Sequence, residues 1–411
     1  MTSPRREPAW RMVRLGEILA EGPTNGWSPK SDADANGTWS LRLSATTSGR
    51  LEISPRTTRR LDERLPPDSK YWLRAGDLLV QRSNTSELVG VAALFDGPSD
   101  AYVYPDTIMR LRMQPQADAR WVWRCLNSPV IRKRVRNLAA GTAGNMPKIN
   151  GEKLRALEVP LPPLPEQRRI ADILDKADAV RRKRAEAIGL VDDLTKAVFL
   201  EMFGDPVTNP TGWPVVTLGS QLEELRYGTS EKCSESRRPG EIGVLRIPNV
   251  VGELISLDDL KFAALDEAEV DRLKLVNDDL LFVRSNGNPE YIARCAVVDE
   301  PAVGYAFASY LIRARFKRDS TLRAPFARDV VSFPTYRRHL VQQARTTAGN
   351  YNINTQGLSS LRLIVPPLTL QDEYVASHKA LAGLHRKEVA GQGEAESLFD
   401  SLVHRAFRGE L

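Results

Sequence analysis

The sequence predicts an α+β protein. Two similar globular mixed α/β domains are joined by two long antiparallel helices that pair as a coiled-coil spacer, giving a pseudo-two-fold object. Three observations lead there. First, the chain repeats itself at an offset of 202 to 208 residues. Second, each copy ends in a proline-rich start signal followed by a long proline-free run. Third, apolar residues in those runs recur at heptad spacing, the mark of a narrow seam that needs a partner helix.

The first start signal is Pro160-Leu161-Pro162-Pro163-Leu164-Pro165-Glu166-Gln167. Pro165 suits a first helical turn and Glu166 suits the positive end of the helix dipole. The seam that follows is Ile170, Ile173, Ala177, Val180, Val191, Leu194 and Val198, and Gly204-Asp205-Pro206 stops the helix. Pro366-Pro367-Leu368-Thr369-Leu370-Gln371 repeats the signal, with Asp372 or Glu373 as the first-turn acid. Leu381, Leu384, Leu398 and Leu402 continue the seam. Gly383, Gly391 and Gly393 each weaken that helix by about 1 kcal/mol relative to Ala, and a bend or frayed turn is expected near Gly391. The expected organisation is a domain over 1–160, a helix over 161–204, a domain over 205–366 and a helix over 367–411.

Within the repeat, Trp10-Arg-Met-Val-Arg-Leu15-Gly16 is echoed by Trp213-Pro-Val-Val-Thr-Leu218-Gly219, and Asp77 to Asn84 by Asp279 to Asn286. Tyr102 to Arg112 matches Tyr305 to Arg315. Thr142-Ala143-Gly144-Asn145 with Ile149-Asn150 matches Thr347-Ala348-Gly349-Asn350 with Ile353-Asn354. Leu78-Leu79-Val80 and Leu280 to Val283 read as buried strands, each paired in a hairpin with the next run, Val89 to Phe95 or Ile292 to Val298. Trp121 to Leu138 and Ala324 to Arg345 read as helices. A short helix and a last strand, Leu157 to Val159 or Leu363 to Val365, precede the prolines.

Composition bounds the function. Cys125, Cys233 and Cys295 lie far apart with no CxxC spacing, which favours a reducing compartment over a disulfide or zinc framework. No apolar run of membrane-spanning length and no signal peptide is visible, so a cytoplasmic protein away from membranes is expected. Residues 1–160 carry 25 basic against 17 acidic residues, a net +8, while 205–366 balance at 20 against 20. The local excess suggests a polyanion such as double-stranded DNA, and a solvated basic surface would look the same.

In order and duplication, these motifs resemble the specificity subunit of type I restriction-modification systems. They are the Trp-x-x-x-x-Leu-Gly opening, the Asp-Leu-Leu strand ending in Arg-Ser-Asn, the Ala-Gly-Asn loop and the Pro-Leu-Pro-Pro-Leu-x-Glu-Gln helix start. The resemblance covers nearly the whole chain, and Leu370 in place of Glu166 is its clearest departure. It implies two target recognition domains, each reading one half of a split DNA site, held apart by the helical spacer. It implies two methyltransferase (modification) subunits and restriction/translocase subunits as partners. It also implies no cofactor on this chain, with S-adenosylmethionine, ATP and Mg belonging to the partners.

Chemistry on the chain itself is not supported by its motifs. Asn288-Pro289-Glu290-Tyr291 is one residue from the Asn-Pro-Pro-Tyr motif of amino-methyltransferases. No glycine-rich cofactor turn accompanies it, and it reads as a hairpin turn. No phosphate-binding loop or clustered carboxylate–lysine centre is present, and His339, His378, His385 and His404 lack a metal-ligand pattern. Catalytic and metal residues are therefore none. A self-contained methyltransferase or nuclease, and a coiled-coil scaffold that binds no DNA, are the alternatives.

DNA-contact candidates fall in three groups. Arg82 and Asn84, with Arg284 and Asn286, close a strand in both copies. Arg and Asn can pair bidentately with guanine and adenine, but a shared motif can equally hold a turn or face phosphate. The stretches that differ between copies suit sequence reading better. They contribute Lys30, Arg42, Ser44, Thr46 and Arg50 in one, and Lys232, Arg237, Arg238, Arg246 and Asn249 in the other. Arg132, Lys133, Arg134 and Arg136, with Lys148, are candidates for phosphate neutralisation, and Arg337 and Arg338 are a thinner counterpart.

Overall fold

The computed structural model describes residues 10–29, 36–139, 146–252, 255–343, 345–347 and 350–411. Lys30, Thr142 to Asn145 and the Ala348-Gly349 pair lie outside them. The chain divides into two units. Unit 1 is Met1–Ala185 with Ala390–Leu411, and unit 2 is Glu186–Val389.

The two units share one sheet plan. In unit 1, strands Leu19–Asn25, Ile108–Met113, Leu78–Gln81 and Ala92–Leu94 pair antiparallel in that order. In unit 2 the order is Leu222–Tyr227, Leu311–Phe316, Leu280–Val283 and Cys295–Val297. The predicted hairpins are present, with shorter second strands. Alternation along the strands sorts side chains to two faces. Leu78, Val80, Met109 and Leu111 face one core, while Leu79 and Ile108 face another. Leu280, Phe282, Ile312 and Ala314 are divided in the same way from Leu281, Val283 and Leu311. The first face of each sheet packs on helices. The second carries a lobe built from the stretch that differs between copies.

The two predicted domain helices are each broken in two. Ala119–Asn127 is followed by Pro129–Ala139, and Ala324–Ser332 by Pro334–Gln343. The cause is a proline that excludes the preceding residue from helical backbone. Ser128 and Phe333 accordingly sit at ψ 146 and 137. The closing strands pair with the opening ones: Glu158–Pro160 with Met12–Arg14, and Arg362–Ile364 with Val215–Thr217. Asn288 caps a short 3₁₀ turn, Pro289–Tyr291.

The long helices are Leu164–Phe203 and Leu368–Ala406. Gly204, at φ +75, closes the first in the left-handed region. The second continues unbroken through Gly391, against expectation. The Arg184 side chain lies over Gly391, and its far end would have to move for any Cβ placed there. In unit 1, Ile170 and Leu174 at the start of one helix share a core with Phe399 and Ala406 near the end of the other, so the two run in opposite directions. In unit 2, Phe199 and Phe203 meet Tyr374 with ring centroids 5.5 and 5.3 Å apart.

The heptad seam is only partly correct. Ile170 and Val191 are buried, and Ile173, Ala177, Val198, Leu381 and Leu402 are half-buried. Val180, Leu194, Leu384 and Leu398 are exposed, at 51%, 48%, 44% and 57%. Burial instead follows Gln167, Ile170, Ala171, Leu174 and Asp178, then Phe199 and Phe203, with Gly391, Ala395 and Phe399 on the other helix. A helix with 3.6 residues per turn drifts about 20° per heptad away from a 3.5-residue frame.

Candidate nucleic-acid interface

The repeated motifs prove to be fasteners. Trp10 Nε1 donates to the Ala406 carbonyl at 3.2 Å, and Trp213 Nε1 to the Phe203 carbonyl at 3.0 Å, so each tryptophan holds the last turn of a long helix. Asn150 and Asn354 cap the short helices that follow them, accepting from Lys153 N and Gly357 N at 2.8 Å. Gln167 and Gln371 are fully buried. The first accepts from Asp118 N at 2.8 Å and donates to the Gln116 and Pro162 carbonyls. The second accepts from Arg323 N at 2.9 Å and donates to the Thr321 and Pro366 carbonyls. Each amide joins the first turn of a long helix to its domain.

A matched ionic cluster braces the lobe side of each sheet, and sequence reasoning missed it. Arg110, opposite Leu79, is 2% exposed and donates to Glu21 at 3.0 Å. Arg112 bonds Asp77 at 2.7 Å and Glu21 at 2.8 Å. In unit 2, Arg313 opposes Leu281 and bonds Glu224, and Arg315 bonds Asp279 at 2.7 Å. The alternating Arg-x-Arg of Ile108–Met113 and Leu311–Phe316 was the available signal. Burial would raise the Glu224 carboxyl, but hydrogen bonds from Arg226 and Arg313 outweigh it and hold the group below its ordinary value.

The structure sorts the DNA-contact candidates. Several are committed to the protein itself. Arg50 lies against Trp123, 5.1 Å from the ring, and pairs with Asp178 of the first long helix. Burial, then the neighbouring Arg124, lowers the Arg50 guanidinium to about 10. Asn249 is 1% exposed, accepts from Arg246 N at 2.8 Å and donates to the Ser256 and Asp258 carbonyls, so it organises its loop. Arg132 donates to the Val89 and Glu87 carbonyls at 2.8 and 2.7 Å. Thr46 is buried. Arg50, Asn249 and Thr46 are corrections to the candidate set, because groups held in this way do not meet a base edge; Arg132, a candidate for phosphate, commits two of its five N–H groups to the protein.

The strand-end motif is half-buried in both units. Arg82 reaches the Asp106 carbonyl at 3.4 Å, and Asn84 donates to Gln81 at 2.7 Å. Arg284 lies over Tyr227, 4.7 Å from the ring, and Asn286 accepts from Asn288 N at 2.9 Å. Exposed cations remain on the lobes and beside them. Arg42 donates to the Thr58 carbonyl through Nε at 3.0 Å, Ser44 is exposed, and Lys148 bridges Ser83 by backbone. Lys232, Arg237 and Arg238 are exposed on one short segment of the unit 2 lobe. Arg246 pairs with Asp259 at 2.7 Å. Lys133 and Arg134 are exposed on the helical side of unit 1. Among the described residues, no group of three or more His, Cys, Asp or Glu could hold a metal ion, and no helix is long and apolar enough to cross a membrane.

Comparison with known proteins places this geometry. Residues 9–188 match the type I restriction modification DNA specificity domain. The EcoKI specificity subunit of Escherichia coli K12 is 27% identical over 303 residues, 69% of this chain and 64% of the relative. The StySPI specificity subunit of Salmonella potsdam is 24% identical over 316 residues, 73% of this chain and 67% of the relative. The match thus spans about two thirds of those relatives' length. A solved type I restriction-modification S subunit from M. genitalium covers 99% of this chain and 98% of its own, with a TM-score of 0.62 at 14% identity, a likeness of fold. A duplicated sheet-and-lobe unit with two long helices, carrying the specificity-domain signature over residues 9–188, is similar to the type I restriction enzyme specificity subunits.

Proposed function

We propose that this chain is the non-catalytic DNA-recognition subunit of a type I restriction-modification enzyme. Each unit reads one half of a split site on double-stranded DNA, with phosphate contacts setting position and groove contacts setting sequence. The two lobes do the reading, because they differ while the sheets and fasteners beneath them repeat. The 40- and 39-residue helices, roughly 60 Å each at 1.5 Å per residue, set the spacing between half-sites. Two methyltransferase subunits and the restriction/translocase subunits dock on the chain. They bring S-adenosylmethionine, ATP and Mg, and the complex works in the cytoplasm.

One observation carries the reading: two units share a sheet order and internal bracing yet bear different surface lobes. Single-molecule mapping of modified bases in a host that expresses the complex tests it. The expected result is one split motif, with two specified blocks and an unspecified gap of fixed length. A continuous motif would overturn it. The chain alone, incubated with labelled S-adenosylmethionine and DNA, is expected to transfer no methyl group, and transfer would return the methyltransferase reading.

A further inference from the structure

Unit 2 has a cavity of about 400 Å³ where its lobe meets the edge of its sheet. Thr229, Ser230, Arg246, Pro248, Ser309 and Tyr310 are among the residues that line it. Its lining suits a flat ligand with a polar edge. Tyr310 lines the cavity and is 61% exposed, so its ring is open to contact. The floor is small and hydroxylic: Thr229 Oγ1 accepts from Glu231 N at 3.1 Å, and its own hydroxyl hydrogen remains to be donated.

The matching place in unit 1 is built differently. Gly26 and Gly228 each press against a carbonyl, those of Tyr104 and Phe307, and the next residue donates its backbone N–H to that carbonyl. Those next residues are Trp27 and Thr229. In unit 1 the position therefore carries an indole, stacked on Tyr71 with centroids 6.0 Å apart. In unit 2 it carries a short side chain beside an open space.

We propose that the unit 2 cavity receives a single unstacked nucleobase of the bound DNA, covered by the Tyr310 ring and met at its edge by the Thr229, Ser230 and Ser309 hydroxyl groups. This rests on the DNA-recognition reading above and adds to it a mode of reading beyond groove contacts. A flat base with a polar edge fits a site having one aromatic lid, apolar walls from Ile247, Pro248 and Ala308, and a few donors on one side. A phosphate fits it less well, because Asp259 already answers the Arg246 charge at 2.7 Å. Lys232, Arg237 and Arg238 extend from the same segment and can hold the strand on either side.

The test uses the full chain assembled with its methyltransferase partners, on duplexes carrying the mapped split site. Each nucleotide of the unit 2 half-site is replaced in turn by 2-aminopurine, which brightens when unstacked. The expected result is one position that brightens on binding with the unaltered chain and with Tyr310→Phe, but not with Tyr310→Ala. Tyr310→Ala should weaken binding about tenfold. An abasic site at that position should make Tyr310→Ala and the unaltered chain bind equally, because the coupling between ring and base is gone. Brightening at the methylated base that does not depend on Tyr310 belongs to the partner and counts against the cavity if it is all that is seen. Binding by Tyr310→Ala within twofold of the unaltered chain overturns the proposal. So does a salt-slope change of about one with no position dependence, which marks a phosphate site. If the unaltered assembly binds no DNA, the recognition reading itself has failed.

Discussion

Arg313 is 1% exposed; it donates to the Lys274 and Arg272 carbonyls, and Glu224 is the carboxylate hydrogen-bonded to it. Removing Glu224 takes away the carboxylate bonded to this buried guanidinium, which costs up to about 3 kcal/mol. Glu224→Gln should therefore lower the unit 2 midpoint in urea. The pH dependence follows from the depressed carboxyl. A group whose folded value lies below its unfolded value stabilises fully above the unfolded value, about pH 4, and loses that contribution as pH falls through the folded one. Urea unfolding should show stability declining below about pH 4 in the unaltered chain and a flatter acid limb in Glu224→Gln. Gly228→Ala makes a second residue-scale case: the added Cβ would drive into the Phe307 and Ala308 carbonyls, and a loss of about 2 kcal/mol or more in the same assay is expected. The duplicated motifs were legible as letters, but their roles were not. Asn249 and Arg50 sit in divergent, arginine-rich stretches that suit DNA. Only the fold reveals that one caps its own loop and the other reaches Asp178, more than a hundred residues away.

Elements were legible where their signals are local. The central strands and both long helices follow from short apolar runs and from proline punctuation. The split domain helices were missed because apolar spacing continues across Ser128-Pro129 and Phe333-Pro334, and backbone exclusion before proline overrides it. The seam was misplaced at Val180, Leu194, Leu384 and Leu398 because a heptad frame assumes one continuous partner surface. These helices instead pack on domain helices near each end, where Trp121 meets Phe407 at 4.9 Å and Phe199 meets Phe333 at 4.8 Å. The attachment at each helix start depends on one amide. Gln371→Ala removes an acceptor for Arg323 N and donors for two carbonyls, all close to Pro366. Each buried group left unpaired costs about 1–3 kcal/mol. Hydrogen exchange should show faster opening of the first turns after Leu368 in Gln371→Ala, and after Leu164 in Gln167→Ala, with the distant sheet amides unchanged. Equal protection in variant and unaltered chain would mean that the prolines alone fix the helix starts.

At the scale of the whole molecule, charge and topology give opposing expectations about where DNA lies. By sequence, the basic excess belongs to the first 160 residues, and the Arg132 to Arg136 cluster is its densest part. By topology, that cluster sits on a helix packed against the opposite sheet face from the lobe, and Arg132 is already bonded to two carbonyls. Lys232, Arg237 and Arg238 stand on the unit 2 lobe itself, although residues 205–366 carry 20 basic against 20 acidic residues. Local placement should prevail over net charge, because screening limits an exposed charge to about 8–10 Å at physiological salt. Each phosphate contact contributes about 0.9 to the slope of log affinity against log salt. Replacing Lys232, Arg237 and Arg238 with glutamine should therefore reduce that slope by about 2 to 3, for target and non-target duplexes alike. Replacing Lys133, Arg134 and Arg136 should change it by less than about 0.5. Salt titrations of the assembled complex on both duplexes would read the two slopes side by side. The reverse ranking would put DNA on the helical face and take the lobes out of the reading role.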